Sequence, residues 1–179
     1  MLVERGAAGI IFVSGRHADT SGDVTRYQRL RERGVPLVTI NGNAPTIKAA
    51  AFATDDRAAA RIAVEHLISL GHHRIGLAIG PMRMVPAQRK HSGYEEAMRS
   101  GLPDEPLRVV ETLYTYEGGA NAAQLLLPQG CTGIVCGSDI MALGVIQGVR
   151  SGGLRVPEDV SVIGYDDSPL IPMTAPPLT

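Results

Sequence analysis

The feature that most limits the fold of this chain is a rhythm. From residue 55 onward, short apolar runs alternate with helical stretches of ten or more residues, and glycines punctuate the joints. "DDRAAARIAVEHLISLGHH" opens on an N-cap candidate, Asp55 or Asp56. Apolar residues recur at Ile62, Val64, Leu67, Ile68 and Leu70, and Gly71 closes the stretch, which reads as a helix. "RIGLAIG" (74–80), "LRVVETL" (107–113), "TGIVCG" (132–137) and "DVSVIG" (159–164) read as strands. "PAQRKHSGYEEAMRSG" (86–101), "EGGANAAQLLLPQG" (117–130) and "SDIMALGVIQGVRSGG" (138–153) read as the helices between them. Such alternation predicts βαβ units, hence an α/β fold of parallel sheets with helices on both faces. The strands are nearly all apolar, which predicts sheets covered on both sides.

The first fifty residues are less regular. "AAGIIFVSG" (7–15), "VPLVTING" (35–42) and "AAAFATD" (49–55) read as strands, "DVTRYQRLRERG" (23–34) as a polar helix, and residues 1–5 as the last turn of a helix.

Composition narrows the function classes. A formal charge of -1 over 179 residues and an apolar fraction of 44% describe a globular chain without a basic nucleic-acid face. The apolar stretch near Met1 is too short and glycine-rich for a signal peptide or a membrane span, so the expected location is cytoplasmic. Cys131 and Cys136 flank a strand, a poor arrangement for a disulfide. "GHHRI" (71–75) fits no zinc spacing, so no metal is expected. No phosphate loop, dinucleotide fingerprint, nucleophile elbow or zinc-protease helix occurs, so neither a cofactor nor catalysis is expected.

Open parallel sheets bind ligands outside the carboxyl ends of their strands. Four such ends lie in the loops 80–87, 114–117, 137–139 and 165–170. The last carries adjacent acids, Asp166 and Asp167, in "VSVIGYDDSPL" (160–170). "DDSP" is turn chemistry, so either acid can be a turn former. On a strand, neighbours point to opposite sides, so one at most would face a cleft. One ionised carboxylate there suits hydrogen bonds from sugar or ribose hydroxyls. Ser138 and Asp139 are good helix caps, with a ligand role open to them. Arg89, Lys90 and His91 form either a solvated helix face or a cation reaching inward.

These residues also carry a resemblance. "TDDRAAARIAVEHLISLGHHRIGLAIGP" resembles the D-N-x-x-G-A-x-x-A-x-x-H-L-I-x-L-G-H-x-x-I segment of the lactose/galactose repressor (LacI/GalR) family. "CGSDIMALGVIQGVRSGGLRVPEDVSVIGYDDSPLIPMTAPPLT" resembles its N-D-x-x-A-x-G helix, its V-P-x-D-V-S-V-x-G-F-D-D phrase and its P-P-L-T tail. The resemblance covers essentially the whole chain. It implies a periplasmic-binding-protein-like effector module of two α/β subdomains around a cleft, normally preceded by a helix-turn-helix that reads operator DNA.

By position, the resemblance makes Asp166 the acid that accepts hydrogen bonds from effector hydroxyls. It puts Lys90 where an effector-clamping arginine is usual and Ser138 where asparagine is usual, beside Asp139. It places Asp55 at the first crossover and Ser14 in a loop facing the cleft. Lysine lacks the bidentate fork of arginine, which makes Arg89 a second candidate for the clamp. The implied division is a partial first subdomain at 1–53 and a second at 54–179, with no DNA-binding domain in the chain. Leu143, Leu170 and Met173 are the expected dimer face. The expected function is effector sensing by a repressor acting as a homodimer on operator DNA, with a sugar, polyol or nucleoside as effector and no membrane partner. The alternative is the sugar-binding protein of an ABC transporter.

Overall fold

The computed structural model describes residues 6–42, 45–169 and 171–178. Two parallel sheets organise it. The first has the order β1-β2-β3, formed by Ile10–Val13, Leu37–Ile40 and Ala50–Phe52. The second has the order β5-β4-β6-β7, formed by Arg108–Glu111, Ile75–Ile79, Gly133–Cys136 and Ser161–Ile163. The helix α1 (Thr25–Glu32) belongs with the first sheet; α2 (Asp56–Ser69), α3 (Val85–Gly101), α4 (Tyr116–Leu126) and α5 (Asp139–Ser151) belong with the second.

The second sheet is the covered parallel sheet that its sequence predicts. Every residue of β4 and β6 is buried. Ile75, Leu77 and Ile79 pack with Val64, Leu67, Tyr94 and Met98 of α2 and α3. Ala78, Ile134 and Cys136 face the opposite way, onto Leu126, Met141 and Val145 of α4 and α5. Each fully buried aliphatic side chain of this kind contributes roughly 1.5–3 kcal/mol through removal from water. Both cysteines are buried and unbridged, and desolvation pushes the Cys136 thiol far above its ordinary value.

Capping sets the start of α2. The Asp55 carboxylate accepts a hydrogen bond from Ala58 N at 2.9 Å, and Gly71, at φ +88°, lets the chain leave the far end. The buried stripe of α2 runs through Ala60, Val64 and Leu67. Ile62 and Leu70, counted in the apolar pattern of the sequence, lie off that stripe at 57% and 61% exposure.

The first sheet departs from expectation. Tyr27 and Leu30 of α1 cover one face with Val35, Leu37 and Ile47. On the other, Ile11 and Val13 are exposed, and so is Phe52 of β3. Apolar composition alone does not tell a sheet covered twice from one covered once.

The chain itself and a clasp of loops join the sheets. Residues 53–55 carry the chain from β3 to α2. Away from that crossover, Thr20 donates from both its N and its Oγ1 to the Arg83 carbonyl, at 2.8 and 3.0 Å. Arg83 Nε donates to Asp19 at 2.9 Å, and Asp19 bridges Met84 in antiparallel fashion. This clasp links the β1–α1 loop to the β4–α3 loop.

Candidate ligand-binding site

The four loops at the carboxyl edge of the second sheet converge, as parallel topology requires. The β4–α3 loop leads into Arg89 and Lys90, on the first turns of α3. The β5–α4 loop supplies Tyr114, the β6–α5 loop Ser138 and Asp139, and the loop after β7 Tyr165, Asp166 and Asp167.

Lys90 is the centre of the cluster. The chain has two lysines against fifteen arginines, and this lysine is buried at 6% exposure. Its Nζ lies 2.9 Å from Asp56 Oδ1 and 3.8 Å from the centroid of the Tyr165 ring. An ammonium removed from water requires such a partner, because an unpaired buried charge is strongly destabilising. Tyr165 Oη donates to the same Asp56 Oδ1 at 2.9 Å and approaches Thr54 Oγ1 at 3.4 Å. One acid on the crossover therefore holds a helix cation and a strand-end phenol together.

Three buried polar atoms here have no hydrogen-bond partner among the described residues: Asp56 Oδ2, Arg89 Nη1 and Tyr114 Oη. Arg89 Nη1 stands 3.9 Å from Asp56 Oδ2, beyond hydrogen-bond reach. Tyr114 lies flat against Gly80 and Gly137; a Cβ on Gly80 would fall 2.0 Å from the ring. Burial, and secondarily the charge of Asp56, push the Tyr114 phenol up to about 12. Unsatisfied donors and acceptors at a strand-end cleft are what a polar ligand satisfies.

Asp166 is largely exposed. Its carboxyl is raised above the ordinary range, first by desolvation, with Asp139 and Asp56 adding to the effect and Lys90 opposing it. The strand-alternation argument does not apply to this residue. β7 ends at Ile163, and Asp166 and Asp167 take φ of 112° and 50° in the turn beyond it. Asp and Asn tolerate that region better than most side chains.

The other sequence candidates separate into roles. Asp139 is buried and accepts a hydrogen bond from Ser168 N at 2.7 Å, which fixes the Asp166 loop against α5. Ser138 is the N-cap of α5 and accepts from Met141 N at 3.4 Å. Asp55 is exposed and its carboxylate is engaged as the α2 cap, while its neighbour Asp56 is 2% exposed and meets Lys90 and Tyr165. Ser14 is exposed at φ 44°, at the carboxyl end of β1 on the first sheet. His91 lies 4.0 Å from Glu95, one turn along α3.

Of the expected dimer face, Leu143 packs partly against the α4–α5 core. Met173 is 83% exposed, and Leu170 lies outside the described residues. Among the described residues no group of three or more His, Cys, Asp or Glu is placed to hold a metal ion, and no helix is long and apolar enough to cross a membrane.

Sequence reasoning named Asp56 only as a possible helix cap and gave no role to Tyr114 or Tyr165. The doubled acid at 55–56 was a usable signal. A helix start needs one cap, so the second acid is left for another partner.

The periplasmic binding protein-like domain family matches residues 64–179. The HTH-type transcriptional regulator MalR of Streptomyces coelicolor is 54% identical over 184 residues, which cover 100% of this chain and 54% of that protein. This chain thus spans about half the length of the curated relatives it matches. A solved structure of the transcriptional regulator CelR in complex with cellobiose is 31% identical, with a TM-score of 0.86 over 99% of this chain and 54% of that one. A LacI family regulator from Enterococcus faecium with bound ribose is 27% identical, with a TM-score of 0.84 over 99% of this chain and 66% of that one. With a family match over most of its length, a half-identical regulator and the same fold as these sugar complexes, the chain belongs to the LacI/GalR family as part of its periplasmic-binding-protein-like effector-binding domain.

Proposed function

We propose that this chain is the effector-sensing and dimerisation portion of a LacI/GalR transcriptional repressor. It binds a small sugar, or a related polyol or nucleoside, at the carboxyl edge of its second sheet. The observation that carries the reading is the set of unpartnered polar atoms, Asp56 Oδ2, Arg89 Nη1 and Tyr114 Oη, beside the Asp166 carboxylate. The CelR–cellobiose and ribose complexes support a sugar as the ligand class.

Asp166 accepts effector hydroxyls, Lys90 and Arg89 line the helix side, and Ser138 and Asp139 hold the α5 turn. Ser14 faces them from the first subdomain, taken as residues 1–53, with 54–179 as the second. Binding shifts the equilibrium between closed and open subdomains. A homodimer that uses Leu143, Met173 and the tail passes the change to operator DNA through a helix-turn-helix outside this chain, in the cytoplasm. The regulator names of the relatives favour this reading over a transporter's binding protein and over an enzyme.

Isothermal titration with ribose, maltose and cellobiose tests the reading. Saturable 1:1 binding of at least one is expected. Heat of dilution alone from all of them overturns it.

A further inference from the structure

We propose that Asp19, Thr20 and Arg83 position the ligand site from outside it, as a latch that keeps the two sheets closed over the strand-end cleft before any ligand binds. The inference rests on the effector-site reading above and names how that site is regulated.

Both loops of the latch leave the carboxyl ends of strands, one on each sheet. Asp19 and Thr20 follow β1, and Arg83 and Met84 follow β4. Both Asp19 carboxylate oxygens are engaged. Oδ1 accepts from Ser21 N and Ser21 Oγ at 2.9 and 2.7 Å, and Oδ2 accepts from Arg83 Nε at 2.9 Å. The Ser21 bonds first, and the Arg83 charge after them, hold this carboxyl below its ordinary range, so it stays ionised near neutral pH. The Arg83 carbonyl accepts twice from Thr20, and Asp19 pairs with Met84 as in an antiparallel ladder.

Each side is rooted in its own half. On the first sheet, Ala18 and His17 are buried, and His17 Nε2 donates to the Ile40 carbonyl at 3.0 Å. The His17 ring meets Tyr27 of α1 edge-on, with centroids 5.6 Å apart. On the second sheet, Met82 N donates to Glu111 Oε1 at 3.0 Å, and Gln88 Nε2 donates to the Met82 carbonyl at 2.8 Å. Gln88 directly precedes Arg89 and Lys90 on α3. A shift of the Arg83 loop is therefore carried to the turn that places both cations. The crossover at 53–55 alone leaves the angle between the sheets free, and a second contact away from it fixes that angle.

The latch is also weak enough to release. Thr20 is exposed and the Arg83 side chain is 57% exposed. Ion pairs of this kind contribute little and are screened by salt. A ligand that prefers the closed arrangement binds with an apparent affinity proportional to the fraction already closed. The latch thus sets the resting affinity of the cleft without touching the ligand.

The test is double electron–electron resonance on the ligand-free protein. Spin labels are placed through Arg29→Cys and Ser92→Cys, exposed positions on α1 and α3. Labelled chain is diluted into unlabelled chain, so only distances within one chain are read. Cys131 and Cys136 are buried and escape labelling. The expected result is one dominant short distance in the parent, and a population of longer distances that rises at least fivefold in the Thr20→Val/Arg83→Ala double variant. A mostly long distribution in the parent, or an unchanged ratio in the variant, overturns the latch.

A salt series separates the latch from mere packing. Raising salt to about 1 M should at least double the long-distance population in the parent and leave Arg83→Ala unmoved. No response in the parent overturns the assignment to the ion pair. This series uses the unaltered latch, so it decides the matter should the double variant fail to fold. No sugar is needed for either reading. Silence in the sugar titrations would strike the effector-site reading and leave these distances standing, whereas unchanged distances strike the latch alone.

Discussion

Lys90 and Asp56 meet 2.9 Å apart with their side chains 7% and 2% exposed, so an ion pair is sealed at the point where the chain crosses between its two sheets. The first residue of α2 supplies the acid and the second turn of α3 supplies the cation. Lys90→Met leaves Asp56 buried without its closest counter-charge. The expected cost is about 3 kcal/mol, as for other buried pairs broken from one side. Urea unfolding of both proteins checks this, and a loss below about 1 kcal/mol contradicts the burial argument.

Gly93 controls how closely that pair can approach. A Cβ at this position would lie 2.0 Å from the Arg57 carbonyl oxygen on α2, one residue from Asp56. Gly93→Ala therefore pushes α3 away from α2, one turn from Lys90. A loss of about 1–3 kcal/mol is expected from overpacking, accompanied by weaker ligand binding. Thermal unfolding should fall by roughly 2–4 °C per kcal/mol for a chain of this size.

Tyr94 ties the α3 helix to two strands. Its hydroxyl donates to the Ile75 carbonyl at 2.9 Å and accepts from Arg108 N at 3.0 Å. Burial raises its phenol to about 12, so it stays protonated over the working range. Tyr94→Phe leaves both backbone groups without this partner. The expected loss is about 1–3 kcal/mol, read by chemical denaturation, with the ligand site itself intact.

His72 carries a pH dependence. Its ring bridges Thr132 Oγ1 and Ser161 Oγ, both at 3.0 Å, at the amino edge of the second sheet. Desolvation lowers its pKa below the ordinary 6.5. The folded state thus prefers the neutral ring. The stability is fully present above the unfolded value and is lost as pH falls from there through the depressed folded value. Unfolding free energy measured from pH 7.5 down to pH 5 should decline less in His72→Gln than in the parent; equal slopes contradict the assignment.

The second sheet was legible from the chain because its signals agree. Apolar runs, caps at Asp55 and Ser138, and the glycine at 71 all point to the same boundaries. The first sheet was only half legible, since Ile11 and Val13 read as covered from composition and are exposed. Within the cluster at the strand ends, Asp166 and Lys90 were named through the family resemblance. Asp56 was hidden behind Asp55, because a pattern of two acids does not say which one caps. Tyr114 and Tyr165 were hidden because an aromatic at a strand end is ordinary core composition. Only the fold puts the Tyr165 hydroxyl on Asp56 and leaves the Tyr114 hydroxyl buried without a partner.

The most direct test of the site is calorimetric titration of the protein and of Asp166→Ala with whichever of ribose, maltose or cellobiose binds, with thermal unfolding run in parallel. Asp166 is largely exposed and its carboxyl is raised by burial and neighbouring acids, so the variant should unfold no earlier than the parent. The account predicts a loss of affinity of at least tenfold with the fold kept. Unchanged affinity in Asp166→Ala would contradict it.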